Sequence, residues 1–155
     1  MAAALAATGL GIASPSCAAS TQVITVSAAV LSNSNCSFRA GTVGLLSLPA
    51  IDPSQATTYS TTGTLRIRCA GAAGIASYGI SNNNGLYGAG PTSLRMRHST
   101  QTTQFLNYSL SYPATGTTPK NANTTLTITA SVTQSAYQNA VPGSYQDTVV
   151  LTISP

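Results

Sequence analysis

The chain has 155 residues, 43% of them hydrophobic and only 5% charged, with six Lys+Arg against two Asp+Glu for a net charge of +4. That length fits one domain with an apolar core of its own, and the apolar content excludes an intrinsically disordered chain, which is poor in apolar residues. The positive charge reflects the scarcity of acids, Asp52 and Asp147, and no Lys/Arg cluster carries interleaved aromatics, which speaks against a nucleic-acid partner.

Residues 1–19 are apolar and rich in small side chains, too short and too weakly hydrophobic to span a bilayer. They read as a signal peptide with cleavage after Ala18 or Ala19, truncated because the positively charged n-region is missing. Lipidation of Cys17 is the weaker reading, since Ser14 and Pro15 stand where a lipobox would have small and aliphatic residues. In residues 21–31, Ile24, Val26, Ala28 and Val30 alternate with Thr25, Ser27 and Ala29, the pattern of a strand with one buried face. Such a strand either packs into its own domain or completes the sheet of a neighbour.

With Cys17 in the leader, Cys36 and Cys69 remain as a pair. In an exported protein they read as a disulfide, worth ~3–4 kcal/mol in the chain-entropy model. A metal site is the poorer alternative, because one histidine and two aspartates supply too few further ligands. Residues 32–35 form a turn cluster, residues 43–48 a short apolar strand ended by Pro49, and Asp52-Pro53 a turn in a Ser/Thr-rich connection.

In residues 63–69, Leu65, Ile67 and Cys69 face one way and Arg66 and Arg68 the other. Residues 77–81 form a further strand, followed by the turn signal Asn84-Gly85. Leu94 and Met96 alternate with Arg95 and Arg97. Leu106, Tyr108, Leu110 and Tyr112 form one apolar face, and Leu126, Ile128, Ala130 and Val132 another. Val149, Leu151 and Ile153 close the series, ending near Pro155 with little chain left to cover the last strand's outer edge. No window of the mature chain carries a 3.6-residue period. Seven to nine short strands between Gly/Pro/Asn/Ser turns indicate a single antiparallel β-sandwich.

Catalytic chemistry finds little purchase. His98 sits at a strand end among Ser and Thr, where an exposed histidine is the plain reading, and there is no G-x-S-x-G elbow. Paired-carboxylate chemistry would need Asp52 and Asp147 to meet, and the glycines of residues 85–90 do not match a dinucleotide fingerprint. Arg66, Arg68, Arg95 and Arg97 would form an anion patch if their strands were neighbours. Otherwise they make a solvated outer face that discourages edge aggregation. The sequons at Asn35, Asn107 and Asn123 matter only in a glycosylating host.

The order of motifs resembles the spore coat protein U domain family, which includes the subunits of archaic (Csu-type) chaperone–usher pili, over roughly residues 22–153. It rests on the strand before Cys36, Asp52-Pro53, the GTLRIRC segment ending in Cys69, Tyr78-Gly79-Ile80 before a glycine loop, Leu94-Arg95-Met96 and residues 106–110. The most specific match is Pro142-Gly143-Ser144-Tyr145-Gln146-Asp147-Thr148-Val149. The resemblance implies an incomplete immunoglobulin-like antiparallel sandwich, all-β, completed by donor-strand exchange. Residues 20–31 would be the donor, with Ile24, Val26, Ala28 and Val30 inserting. Residues 32–155 would be the pilin-like domain, with Val149, Leu151 and Ile153 lining the acceptor groove and Cys36–Cys69 as its disulfide.

The resemblance further implies a non-enzymatic fibre subunit without cofactor, exported through the periplasm to the cell surface, serving attachment and biofilm formation. Its partners would be identical or related pilin subunits, a periplasmic chaperone and an outer-membrane usher. The alternative is a self-contained secreted sandwich that binds carbohydrate through Tyr- and Asn-rich loops.

Overall fold

The computed structural model describes residues 25–29, 32–42, 44–89 and 93–155. The expected leader, residues 1–19, and the donor positions Ile24 and Val30 lie outside the described residues. Alternating Thr and β-branched or aliphatic residues make extended backbone the favoured state along most of the chain. Among the described residues nine strands and one helical turn form: β1 (Ser34–Phe38), β2 (Tyr59–Gly71), β3 (Ile75–Asn82), β4 (Leu94–His98), β5 (Phe105–Ser111), β6 (Thr115–Pro119), β7 (Asn123–Val132), α1 (Gln134–Tyr137), β8 (Tyr145–Gln146) and β9 (Leu151–Ser154).

The strands build two antiparallel sheets, one of six strands in the order β1-β2-β7-β5-β4-β8 and one of three in the order β6-β3-β9. This is the antiparallel sandwich expected from the alternation. The β2–β7 ladder runs from Tyr59↔Val132 to Arg68↔Asn123 and is the spine of the larger sheet. Leu65, Ile67 and Cys69 from β2 are buried, and Ile67 and Cys69 meet Ala76, Tyr78 and Ile80 from β3, forming one core cluster with Cys36. Cys36 and Cys69 are directly opposite in the β1–β2 register and are disulfide-bonded inside that core.

A second cluster, around Leu106, Val132 and Tyr137, is roofed by Leu48 and Ile51 from the 44–51 segment. The expected strand over residues 43–48 does not form in its described part, residues 44–48. Leu48 instead packs down onto the second cluster, and the segment runs over the sheet as irregular chain. Tyr137 secures it further on: its hydroxyl donates to the carbonyls of Gln55 and Thr57, and its ring stands edge-on to Tyr59 at 5.4 Å.

Where the chain crosses from the larger sheet to the smaller, the Tyr145 hydroxyl donates to the Val141 carbonyl at 2.7 Å. That is the arrangement of the tyrosine corner in immunoglobulin-type sandwiches. Strand β8 then pairs with β4 and β9 with β3, so one continuous segment stitches the two sheets together.

Candidate functional site

Strand β1 has β2 on one side and β9 has β3 on one side, and among the described residues neither has a strand on the other. These two free edges, one from each sheet, lie side by side. Free edges present unpaired N–H and C=O groups and are templates for a further strand. Between them opens a cleft of about 240 Å³ lined by Phe38, Thr42, Gly44, Leu65, Val149 and Leu151. An apolar cavity of ~150 Å³ already holds a benzene-sized guest, so a Val or Ile side chain has room here.

Each wall has a local cause. Phe38 ends β1, and the chain then turns sharply: Arg39 N–H donates to the Arg66 carbonyl at 2.7 Å, while Thr42 donates its hydroxyl to the Arg39 carbonyl at 2.7 Å. That turn sets Thr42 and Gly44 at one end of the cleft. Leu65, 1% exposed, forms the floor. Val149 and Leu151 alternate with Val150, which is 54% exposed on the opposite face.

Of the sequence-derived groove residues, Val149 and Leu151 line the cleft, while Ile153 is half-buried against the disulfide core further along β9. Phe38, Thr42, Gly44 and Leu65 were not read from the sequence. An i, i+2 pattern marks one face of one strand and says nothing of what the opposing sheet contributes. Of the sequence-derived donor residues, Val26 is 88% exposed and Ala28 is exposed, and residues 25–29 belong to no strand.

The position of β9 is fixed by residues 142–149. His98 is buried, not exposed as its sequence context suggested. Its Nδ1 accepts from the N–H groups of Thr100 (3.1 Å) and Gln101 (3.0 Å), so Nε2 carries the proton and donates to the Pro142 carbonyl at 3.1 Å. The Tyr145 ring stands edge-on to the imidazole at 4.9 Å. Asp147 accepts from the Tyr108 hydroxyl and from the N–H groups of Leu86 and Thr148. Both His98 nitrogens and both Asp147 oxygens are therefore engaged in holding loops. Asp52 closes an Asx turn on Ser54, whose hydroxyl first and then N–H hold its carboxyl below the usual range. Among the described residues there is no group of three or more His, Cys, Asp or Glu placed to hold a metal ion.

The four arginines do not meet. All project from the outer face of the six-stranded sheet, but β7 and β5 separate β2 from β4. The register adds a further offset. Arg66 pairs with Thr125, whereas Arg95 pairs with Asn107, beyond the Ser109↔Ser131 rung at the other end of β7. Thr125 and Ser131 are ~20 Å apart along the strand. The anion patch expected if the strands were neighbours is thus split into two pairs.

The model of the Spore Coat Protein U domain family matches residues 20–152. No curated protein matches the chain. A solved chain from a structure described as "Chaperone-tip adhesin complex is vital for synergistic activation of CFA/I fimbriae biogenesis" is 14% identical, with a TM-score of 0.47. The match covers 78% of this chain and 41% of that one, so this chain spans well under half of its length.

Proposed function

The chain belongs to the Spore Coat Protein U domain family, and from that premise we propose that it is a structural, non-enzymatic subunit of a pilus-like surface fibre. In this reading residues 20–31 of one copy insert between β1 and β9 of the next, with Ile24, Val26, Ala28 and Val30 facing inward. The subunit is exported, is held by a periplasmic chaperone until an outer-membrane usher exchanges the strand, and ends in a fibre used for attachment and biofilm formation.

The observation that carries the reading is the pairing of two free edges with a cleft between them, in a chain whose own alternating segment leaves Val26 88% exposed. Each Ile or Val buried there contributes roughly 1.5–3 kcal/mol, and the strand pairs backbone groups on both edges at once. A contact made by the front of one copy on the side of another is heterologous and does not close, so it propagates as a filament. The test is assembly of the intact chain against a chain lacking residues 20–31. Deletion is expected to abolish fibres, and a synthetic peptide of residues 20–31 to raise the melting temperature of the shortened chain. Fibres that persist without these residues would sink the reading.

A further inference from the structure

The arginine pair on β4 is built differently from the pair on β2. The Arg97 guanidinium lies over the Tyr87 ring, 4.4 Å from its centroid, and the Arg95 guanidinium over the Phe105 ring at 4.1 Å. Arg95 also donates from Nε to the Tyr87 carbonyl, and the two rings tilt together at 6.3 Å. The aromatics missing from this arginine run in the sequence are supplied by the 84–88 loop and by β5. All four side chains remain partly open to solvent.

Each guanidinium is thus held over a ring, which reduces the rotamer freedom that an exposed arginine loses on binding. Among the described residues neither has an acid to pair with. The chain has two carboxylates: Asp52 is closed into its Asx turn and Asp147 is taken by Tyr108 and Leu86. Two oriented guanidiniums without an acid partner stand at i and i+2, ~7 Å apart along the strand; Nε of Arg95 is taken by the Tyr87 carbonyl, so Arg95 presents its terminal Nη donors and Arg97 its fork to oxyanions.

We propose that Arg95 and Arg97, framed by Tyr87 and Phe105, bind a carboxylate-bearing polysaccharide. The surrounding outer face favours a hydroxylated polymer: Asn107 opposite Arg95 and Ser109 beyond it are exposed polar groups able to bond sugar hydroxyls. A nucleic acid would call for a longer track of cations, and the next pair, Arg66 and Arg68, is ~20 Å away along the sheet. The site lies on the sheet's outer face and not in the cleft, so the inference holds for a single copy and does not use the fibre reading.

The test is retention of the intact, disulfide-bonded chain on immobilised polygalacturonate, with neutral dextran, double-stranded DNA and phosphatidylglycerol vesicles as parallel arms. Retention is expected on polygalacturonate alone. It should weaken about tenfold, the loss of one charge-assisted contact, in Arg97→Gln. The double variant Arg95→Lys/Arg97→Lys, which keeps the charge but loses the forks and the ring stacking, should weaken similarly. Arg66→Gln/Arg68→Gln should bind as the parent does. Should Arg97→Gln melt early, the lysine double variant decides. Equal loss in the Arg66/Arg68 variant, full retention in the lysine variant, tighter binding to DNA or vesicles, or no retention at all would each overturn the proposal.

Discussion

The Tyr108 hydroxyl donates a 2.8 Å hydrogen bond to Oδ2 of Asp147, whose Oδ1 accepts from the N–H groups of Leu86 and Thr148. One carboxylate therefore joins β5, the 84–88 loop and the crossing into β9. Asp147→Ala leaves three donors short of a partner and is expected to cost ~1–3 kcal/mol, read as a lowered denaturation midpoint. Burial first, and then the hydrogen bond and charge of Asp147, hold the Tyr108 phenol well above the usual tyrosine range. The unfolded phenol ionises near pH 10 while the folded one stays protonated, so unfolding releases a proton above that pH. This part of the stability is fully present below pH ~10 and is lost as the pH rises towards the folded value. Melting temperatures of the parent and Tyr108→Phe, compared from pH 8 to 11, should converge as the solution becomes alkaline.

The Cys36–Cys69 bond closes a loop of sequence separation 33 inside the first core cluster. Replacing both residues by alanine is expected to cost ~3–4 kcal/mol, on the order of 10 °C in Tm for a domain of this size. Reduction of the parent in mild denaturant should produce a comparable drop.

Alternation was enough to mark β2, β3, β4, β5, β7 and β9, because each has one face in the core and one in water. It missed β1, Ser34–Phe38, whose first two residues read as part of a turn cluster, the two-residue β8, Tyr145–Gln146, and β6, Thr115–Pro119, which contains Gly116 and Pro119 and is held by backbone pairing to β3 rather than by an apolar face. The short apolar run of residues 43–48 read as a strand, but in its described part, residues 44–48, it is irregular chain, since an apolar run cannot tell a ladder from an extended chain draped over a neighbouring cluster. The arginines mark the same limit at the level of sites. Their alternation places all four on an outer face, but register and strand order, which separate them, are long-range properties. Val149 and Leu151 were legible as one wall of the cleft; Phe38 and Leu65, the opposite wall and the floor, were not.

At Gly143 the 142–149 segment has no room for a side chain. The glycine's φ is +151°, and a Cβ there would collide with Nε2 of His98, the atom that donates to Pro142. Gly143→Ala is expected to displace the imidazole and cost on the order of 2 kcal/mol or more. Gly74, with φ +124° and nothing within 4 Å of its would-be Cβ, is the control. Gly74→Ala carries only backbone strain and should melt at a higher temperature than Gly143→Ala. Equal losses would show that the contact with His98 contributes nothing.

Val26 and Val150 are both exposed valines near the two halves of the proposed joint, and they separate donor insertion from general loss of apolar surface. Val26 is 88% exposed and belongs to the proposed inserting set of residues 20–31, whereas Val150, 54% exposed, points away from the cleft that Val149 and Leu151 line. A carboxylate at position 26 would have to be buried between the sheets without a partner, which is costly, so Val26→Asp is expected to abolish fibres seen by electron microscopy. Val150→Asp should leave them intact. The Val26→Asp chain keeps its own cleft and can still accept a donor, so added to the parent it should occupy one growing end and shorten fibres in proportion to its share. If Val26→Asp and Val150→Asp weaken assembly equally, the fibre is held by surface hydrophobicity and not by an inserted strand.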